Sequence, residues 1–182
     1  MLGCIVLLAC GAVCVHGEET DMHVRRGSGS LLVSMDLPRH VRPDVIQSLE
    51  AGLRSEISFE IRLYRVTVGL RSLFGDRLIR EDSVTREGKR DSFESTYQIF
   101  SSSGITSFSD PQVFLDSYYS LHAFSVPFNP RDGQRYYVLG RITAQETKLV
   151  PPLNLLTPFM KEYRTVTDWQ RYDIIPEGDV RP

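Results

Sequence analysis

Residues 57–68 read Ile57-Ser58-Phe59-Glu60-Ile61-Arg62-Leu63-Tyr64-Arg65-Val66-Thr67-Val68. Ile57, Phe59, Ile61 and Leu63 are apolar, with Ser58, Glu60 and Arg62 between them. A period of two marks a strand with one buried face. The phase then flips, and Val66, Val68 and Leu70 become the apolar set. A one-residue slip exchanges the two faces of a strand, so a bulge or a change of packing partner is expected near Tyr64 and Arg65. Strands like this one, joined mostly by hairpin-length links, make an antiparallel sheet.

Upstream, Leu31, Val33, Met35 and Leu37 alternate with Leu32, Ser34 and Asp36, which predicts a first strand. Pro43 and Asp44 open a helix of about three turns, with Val45, Ile46, Leu49 and Leu53 as its apolar stripe. Residues 18–30 are polar and Gly/Ser-rich and read as a linker.

Downstream, 76–94 is dense in charge of both signs. Arg86-Glu87-Gly88-Lys89 sits in its middle like a hairpin turn. Phe93, Ser95, Tyr97 and Ile99 predict the return strand, and Ser101-Ser102-Ser103-Gly104 a turn. Asp110-Pro111 predicts a second helix, with Asp110 as N-cap and Phe114, Tyr118 and Leu121 on one face. A strand through Phe124, Val126 and Phe128 leads into the turn at 129–133. Its partner strand, 135–147, is apolar on both faces through Tyr136, Tyr137, Val138, Leu139 and Ile142, which predicts a central position. Pro151-Pro152 stops it. Leu153 to Met160 reads as an apolar turn, and Tyr163, Val166 and Trp169 suggest a last strand.

The sum is an α+β domain, mainly an antiparallel sheet or sandwich of about six or seven strands with two short helices. The chain has 182 residues, of which 24% are charged, and a formal net charge of -2. That length buries a sizeable core, and that charge argues against a generically basic nucleic-acid binder. The expected organisation is a signal segment over 1–17, the linker over 18–30, one mostly-β domain over 31–175 and a polar tail over 176–182.

The signal segment rests on Leu2 to Val15, an uncharged apolar block closing on small residues. Cleavage after Gly17 is one fate. Leu7-Leu8-Ala9-Cys10 resembles a bacterial lipobox, and under that second reading Cys10 carries the lipid that attaches the domain to a membrane surface. The missing Lys or Arg at the head points to a start upstream of Met1. Cys4, Cys10 and Cys14 all lie inside the block, so the body holds no disulfide and no thiol chemistry. A cysteine-free body behind an export signal suits a bacterial periplasm or envelope.

Leu49-Glu50-Ala51-Gly52-Leu53 leads into the long strand through Tyr64-Arg65. Tyr97, a helix at Val113 to Tyr118, Tyr137 to Arg141, Leu149-Val150-Pro151-Pro152-Leu153 and Trp169 follow in order. This order and spacing over most of the body, about 30–175, resembles the bacterial domain of unknown function family 4390. The family tends to place tryptophan after the long strand, where this chain has Ser72-Leu73-Phe74-Gly75-Asp76. The resemblance implies an exported bacterial protein and carries no activity with it.

Catalytic patterns are sparse. His23, His40 and His122 lack the short spacing of a metal site. No Gly-rich phosphate loop and no G-x-S-x-G elbow occur. No catalytic, cofactor-binding or metal residue is therefore expected, and the chain reads as a non-enzyme. Tyr118-Tyr119 and Tyr136-Tyr137 read first as packing residues. Glu60, Arg62, Tyr64 and Arg65 are the candidate ligand or partner face. The plainer reading of that face is a solvated sheet with cross-strand ion pairs. Three functions stand open: a non-catalytic domain that is structural or binds an envelope protein partner, a periplasmic carrier of a lipid or other apolar ligand, and an enzyme, which the sparse catalytic patterns disfavour.

Overall fold

The computed structural model describes residues 20–131, 133–148 and 164–174. The apolar block with Cys10, the Pro151-Pro152 stop, the 153–160 segment and the 176–182 tail lie outside the described residues.

Ten strands form two antiparallel sheets among the described residues. The strands are β1 (Asp21–Gly27), β2 (Ser30–Asp36), β3 (Arg54–Arg65), β4 (Arg77–Asp91), β5 (Thr96–Ser101), β6 (Gly104–Phe108), β7 (Ser120–Pro127), β8 (Tyr136–Lys148), β9 (Arg164–Val166) and β10 (Gln170–Ile174). Two α-helices, α1 (Val45–Glu50) and α2 (Pro111–Tyr118), complete the α+β fold. The small sheet runs β1-β2-β7. The large sheet runs β10-β8-β3-β4-β5-β6, with β9 also on β8.

The core lies between the sheets. Ile57, Phe59, Ile61 and Leu63 of β3, with Val138, Ile142 and Ala144 of β8, are buried on the inner face. Leu31, Val33 and Met35 of β2 pack toward them. Gly140 on β8 lets the sheets approach closely: a Cβ there would stand 2.6 Å from the Met22 sulfur and 2.8 Å from Met35 Cε. Phe114 and Tyr118 carry α2 onto the same core, their rings stacked 5.3 Å apart.

The long strand and its irregularity are both present. Its pairing with β4 shifts register between Leu63 and Tyr64. The strand ends at Arg65, however, and Gly69–Phe74 forms 3-10 turns, so Val66, Val68 and Leu70 do not continue it. The central position of β8 is also present, since it pairs β3 on one side and β9 and β10 on the other.

Several expectations are corrected. The linker reading of 18–30 fails over Asp21–Gly27, which is β1. Met22 and Val24 alternate with charged neighbours and are buried, and a Ser28-Gly29 turn closes the hairpin with β2. Arg86-Glu87-Gly88-Lys89 is not a turn but the middle of β4. The turn comes at 92–95, where the Asp91 carboxylate accepts from the Phe93 and Glu94 amides at 2.9 and 3.2 Å. Arg86 instead donates to the Ser117 and Ser120 carbonyls at 2.7 and 2.6 Å, satisfying backbone acceptors at the end of α2.

Helix α1 is shorter than three turns. Gly52, at φ +80°, closes it, with Leu53 N–H donating to the Ser48 carbonyl and Gly52 N–H to that of Leu49. Asp110 caps α2 as expected, accepting from the Gln112 amide at 2.7 Å. That helix stops at Tyr118, so Leu121 and His122 belong to β7. Strand β7 pairs β2 and not β8, because the chain crosses from one sheet to the other between Pro127 and Tyr136.

Candidate functional site

The outer face of the large sheet collects three of the four predicted site residues. Glu60, Arg62 and Tyr64 alternate with buried neighbours along β3 and point away from the core. Arg65 follows Tyr64 by one residue and falls on the other face. There it donates to Gln134 Oε1 at 3.3 Å, so it is not part of this surface.

Register decides what meets these three. Glu60 lies opposite Arg141 of β8, Arg62 opposite Leu139 and Tyr64 opposite Tyr137. On the β4 side, Arg62 lies opposite Glu81 and Tyr64 opposite Leu78. The Arg141 guanidinium donates to both Glu60 carboxylate oxygens, at 2.7 and 2.9 Å. Arg62 donates to Glu81 at 2.8 Å, and that hydrogen bond holds its pKa above the ordinary arginine value. Arg171 donates to Asp173 at 2.8 and 3.0 Å. Each arginine has its own carboxylate, so the face is locally neutralised rather than poised for an anion.

Aromatic rings sit over these pairs. Trp169 has the Arg62 guanidinium 4.5 Å and the Arg141 guanidinium 4.4 Å from its ring centre. Tyr64 and Tyr137 stack at 5.2 Å with an interplanar angle of 8°. The Arg171 guanidinium lies 3.8 Å over Tyr137. Stacking between guanidinium and ring leaves the hydrogen-bond edges of the cation available.

A bulge places Trp169. From Val166 to Gln170 the chain advances four residues while its partner strand moves three, from Thr143 to Gly140. The extra residue breaks the ladder between β9 and β10. Thr167 pins the break: its buried Oγ1 accepts from the Ile142 amide at 2.9 Å, and its own amide donates to the Ile142 carbonyl at 3.0 Å. Trp169 is absent from the sequence-derived site; in the sequence it reads as part of a last strand and as one landmark of the family resemblance. Its being the one tryptophan in the chain was the available signal.

The face continues into an exposed apolar turn. Val68, Leu73 and Phe74 are 80%, 82% and 92% exposed, and Leu78 and Ile79 are also exposed at the start of β4. Asp76 fixes this turn, accepting from the Thr67 amide at 2.9 Å and from the Tyr137 hydroxyl at 3.1 Å. Burial, then the Asp76 carboxylate, raises the Tyr137 pKa, so the phenol stays a neutral donor.

Other candidates do not converge on this surface. His23 pairs with Asp21 at 3.1 Å on β1, His40 lies in a 3-10 turn and His122 is exposed on β7. Among the described residues no three His, Asp or Glu side chains gather to hold a metal ion. A cleft of about 760 Å3 near β2 and α2 is lined by Asp36, Arg42, Asp116 and His122. Arg42 fills its floor, donating at 2.8 Å to each of Asp36, Asp116 and the Leu37 carbonyl. Tyr118, Tyr119 and Tyr136 are buried packing residues, and Tyr137 is buried as well, beneath Tyr64 and Arg171 on the outer side of the sheet. No helix among the described residues is long and apolar enough to cross a membrane.

No curated protein and no solved structure matches the chain. The sequence profile described as "Domain of unknown function (DUF4390)" matches residues 17–173, nearly the whole of the fold above. The chain belongs to the DUF4390 family.

Proposed function

We propose that this is a non-catalytic protein-docking domain of the bacterial envelope, working outside the cytoplasm. Its partner is another envelope protein, which sits on the outer face of the large sheet and on the Leu73-Phe74 turn. The observation that carries this reading is the continuity of the two. A platform of Trp169, Tyr64 and their arginines, laid over buried Tyr137, runs into an apolar turn that projects into solvent. Trp, Tyr and Arg dominate the energetics of protein interfaces, and ordered side chains lose little entropy on docking. Export is supported by the apolar block at Leu2 to Val15 and by a body without cysteine.

The carrier alternative draws less support. The cleft of about 760 Å3 sets Leu37, Pro38 and Val113 beside Asp36, Arg42 and Asp116, and charged groups among its walls do not favour an apolar chain. The test is chemical crosslinking in the native host, followed by capture of the protein under denaturing conditions. A reproducible envelope partner is expected, lost when Leu73→Ser and Phe74→Ser are combined and retained when the remote Phe93→Ser is made. Capture that is the same for all three chains would refute the docking surface.

A further inference from the structure

Among the described residues, strand β6 is an open edge of the large sheet without the usual protection. Edge strands expose unpaired backbone groups, and proteins normally guard them with charge, proline or a bulge. The other sheet edges follow that rule: β1 carries Asp21, His23, Arg25 and Arg26, and β10 carries Arg171 and Asp173. Strand β7 has Pro127 and the positive φ of Ala123. By contrast, Ser95 to Ser109 contains no charged residue and no proline. Gly104, Ile105, Thr106 and Ser107 are all exposed, Ile105 by 62%.

The hydrogen-bond pattern of this edge is self-complementary. Ser101 and Gly104 close the β5–β6 hairpin, and Ile99 pairs Thr106. Alternation then turns the N–H and C=O groups of Ile105 and Ser107 outward. We infer that β6 pairs with β6 of a second copy of this chain, antiparallel, about a two-fold axis through Thr106. In that register Ile105 of each copy faces Ser107 of the other, and the two pairs exchange four backbone hydrogen bonds. Thr106 meets Thr106 in a non-hydrogen-bonded pair, where side chains approach most closely and threonine pairs are favourable. The two Ile105 side chains become diagonal neighbours on the outer face, beside half-buried Phe100. No like charges are brought together, because the strand has none. This self-pairing does not depend on the proposed docking face, since it uses the opposite edge of the large sheet from β10.

The test uses the full chain and two variants. Sedimentation equilibrium over rising concentration is expected to show a mass approaching that of a dimer. Ser107→Pro removes an outward N–H without touching the β5 ladder and is expected to hold the chain at monomer mass, with circular dichroism checking its fold. Independently, Thr106→Cys is expected to form a disulfide between the two introduced positions under mild oxidation, separated from the native cysteines by peptide mapping. A chain that stays monomeric at all concentrations, with no 106–106 disulfide, overturns the inference. So does a dimer whose mass is unchanged by a folded Ser107→Pro variant, or a monomer whose position 106 crosslinks only to a different protein.

Discussion

Tyr137 donates its phenolic hydrogen bond to Asp76 across 3.1 Å, tying the centre of the large sheet to the turn that follows β3. The other Asp76 oxygen takes the Thr67 amide, so one carboxylate closes both ends of the Leu73-Phe74 loop. Asp76→Ala is expected to free both donors and to cost about 1–3 kcal/mol. Hydrogen exchange is expected to accelerate over 66–76 while the β3–β8 ladder stays protected. Acceleration spread evenly over the sheet would show that Asp76 is not a local clasp.

Thr167 has the corresponding role for Trp169. Thr167→Val keeps the shape but removes the acceptor for the Ile142 amide, at an expected cost of about 1–2 kcal/mol. With one tryptophan in the chain, fluorescence reports on Trp169 alone. Its emission is expected to move to the red and its quenching by iodide to rise as the ring leaves Arg62 and Arg141. An unchanged spectrum would mean that the stack holds without the Thr167 pin.

Two glycines mark close approaches of different tolerance. A Cβ at Gly88 meets Ser55 Oγ at 2.8 Å, Phe114 Cζ at 3.2 Å and Tyr118 Cε2 at 3.3 Å. Those neighbours are short or aromatic and sit in a packed core. A Cβ at Gly140 meets the flexible ends of Met22 and Met35. Gly88→Ala is therefore expected to cost about 2–3 kcal/mol and Gly140→Ala about 1 kcal/mol or less, read from urea unfolding. The reverse order would contradict this packing.

Buried Tyr118 accepts a hydrogen bond from Ser55 at 2.9 Å, and burial pushes its hydroxyl far above the ordinary phenol range. Below about pH 10 the phenol is neutral in both the folded and unfolded chain, and the stabilisation is complete. Above that, the unfolded phenol ionises while the folded one keeps its proton, so stability falls by about 1.4 kcal/mol per pH unit from this group. Tyr118→Phe is expected to flatten the alkaline limb of stability against pH. At neutral pH it is expected to lose about 1 kcal/mol with the hydrogen bond. An alkaline limb as steep as in the parent chain would contradict the assignment.

The legible parts of the sequence were those with a clean local period. Ile57 to Leu63 gave a strand, Asp110-Pro111 a capped helix, and the two-sided apolar run at Tyr136 to Ile142 a central strand. At 86–89 a cluster of charge imitates a turn. Arg86 looked like a loop residue, yet its guanidinium reaches the end of α2, a contact 31 residues away in sequence. Strand β1 was hidden because Met22 and Val24 are a short alternation among charges, and pairing with β2 completes it. Glu60, Arg62 and Tyr64 could be placed on one face from alternation alone. Tyr137, Arg141 and Trp169 could not join them without the register of β8 and the bulge at Thr167.

The docking surface is tested most directly by hydroxyl-radical footprinting of the protein in intact cells of its host, set against the purified chain. Phe74 and Phe93 are both almost fully exposed and lie beyond opposite ends of β4, so each controls for the other. Leu73, Phe74 and Trp169 are expected to be oxidised markedly less in cells than in the purified protein, while Phe93 is oxidised equally in both. Equal oxidation of Phe74 in the two settings, or protection of Phe93 in its place, would contradict the docking surface.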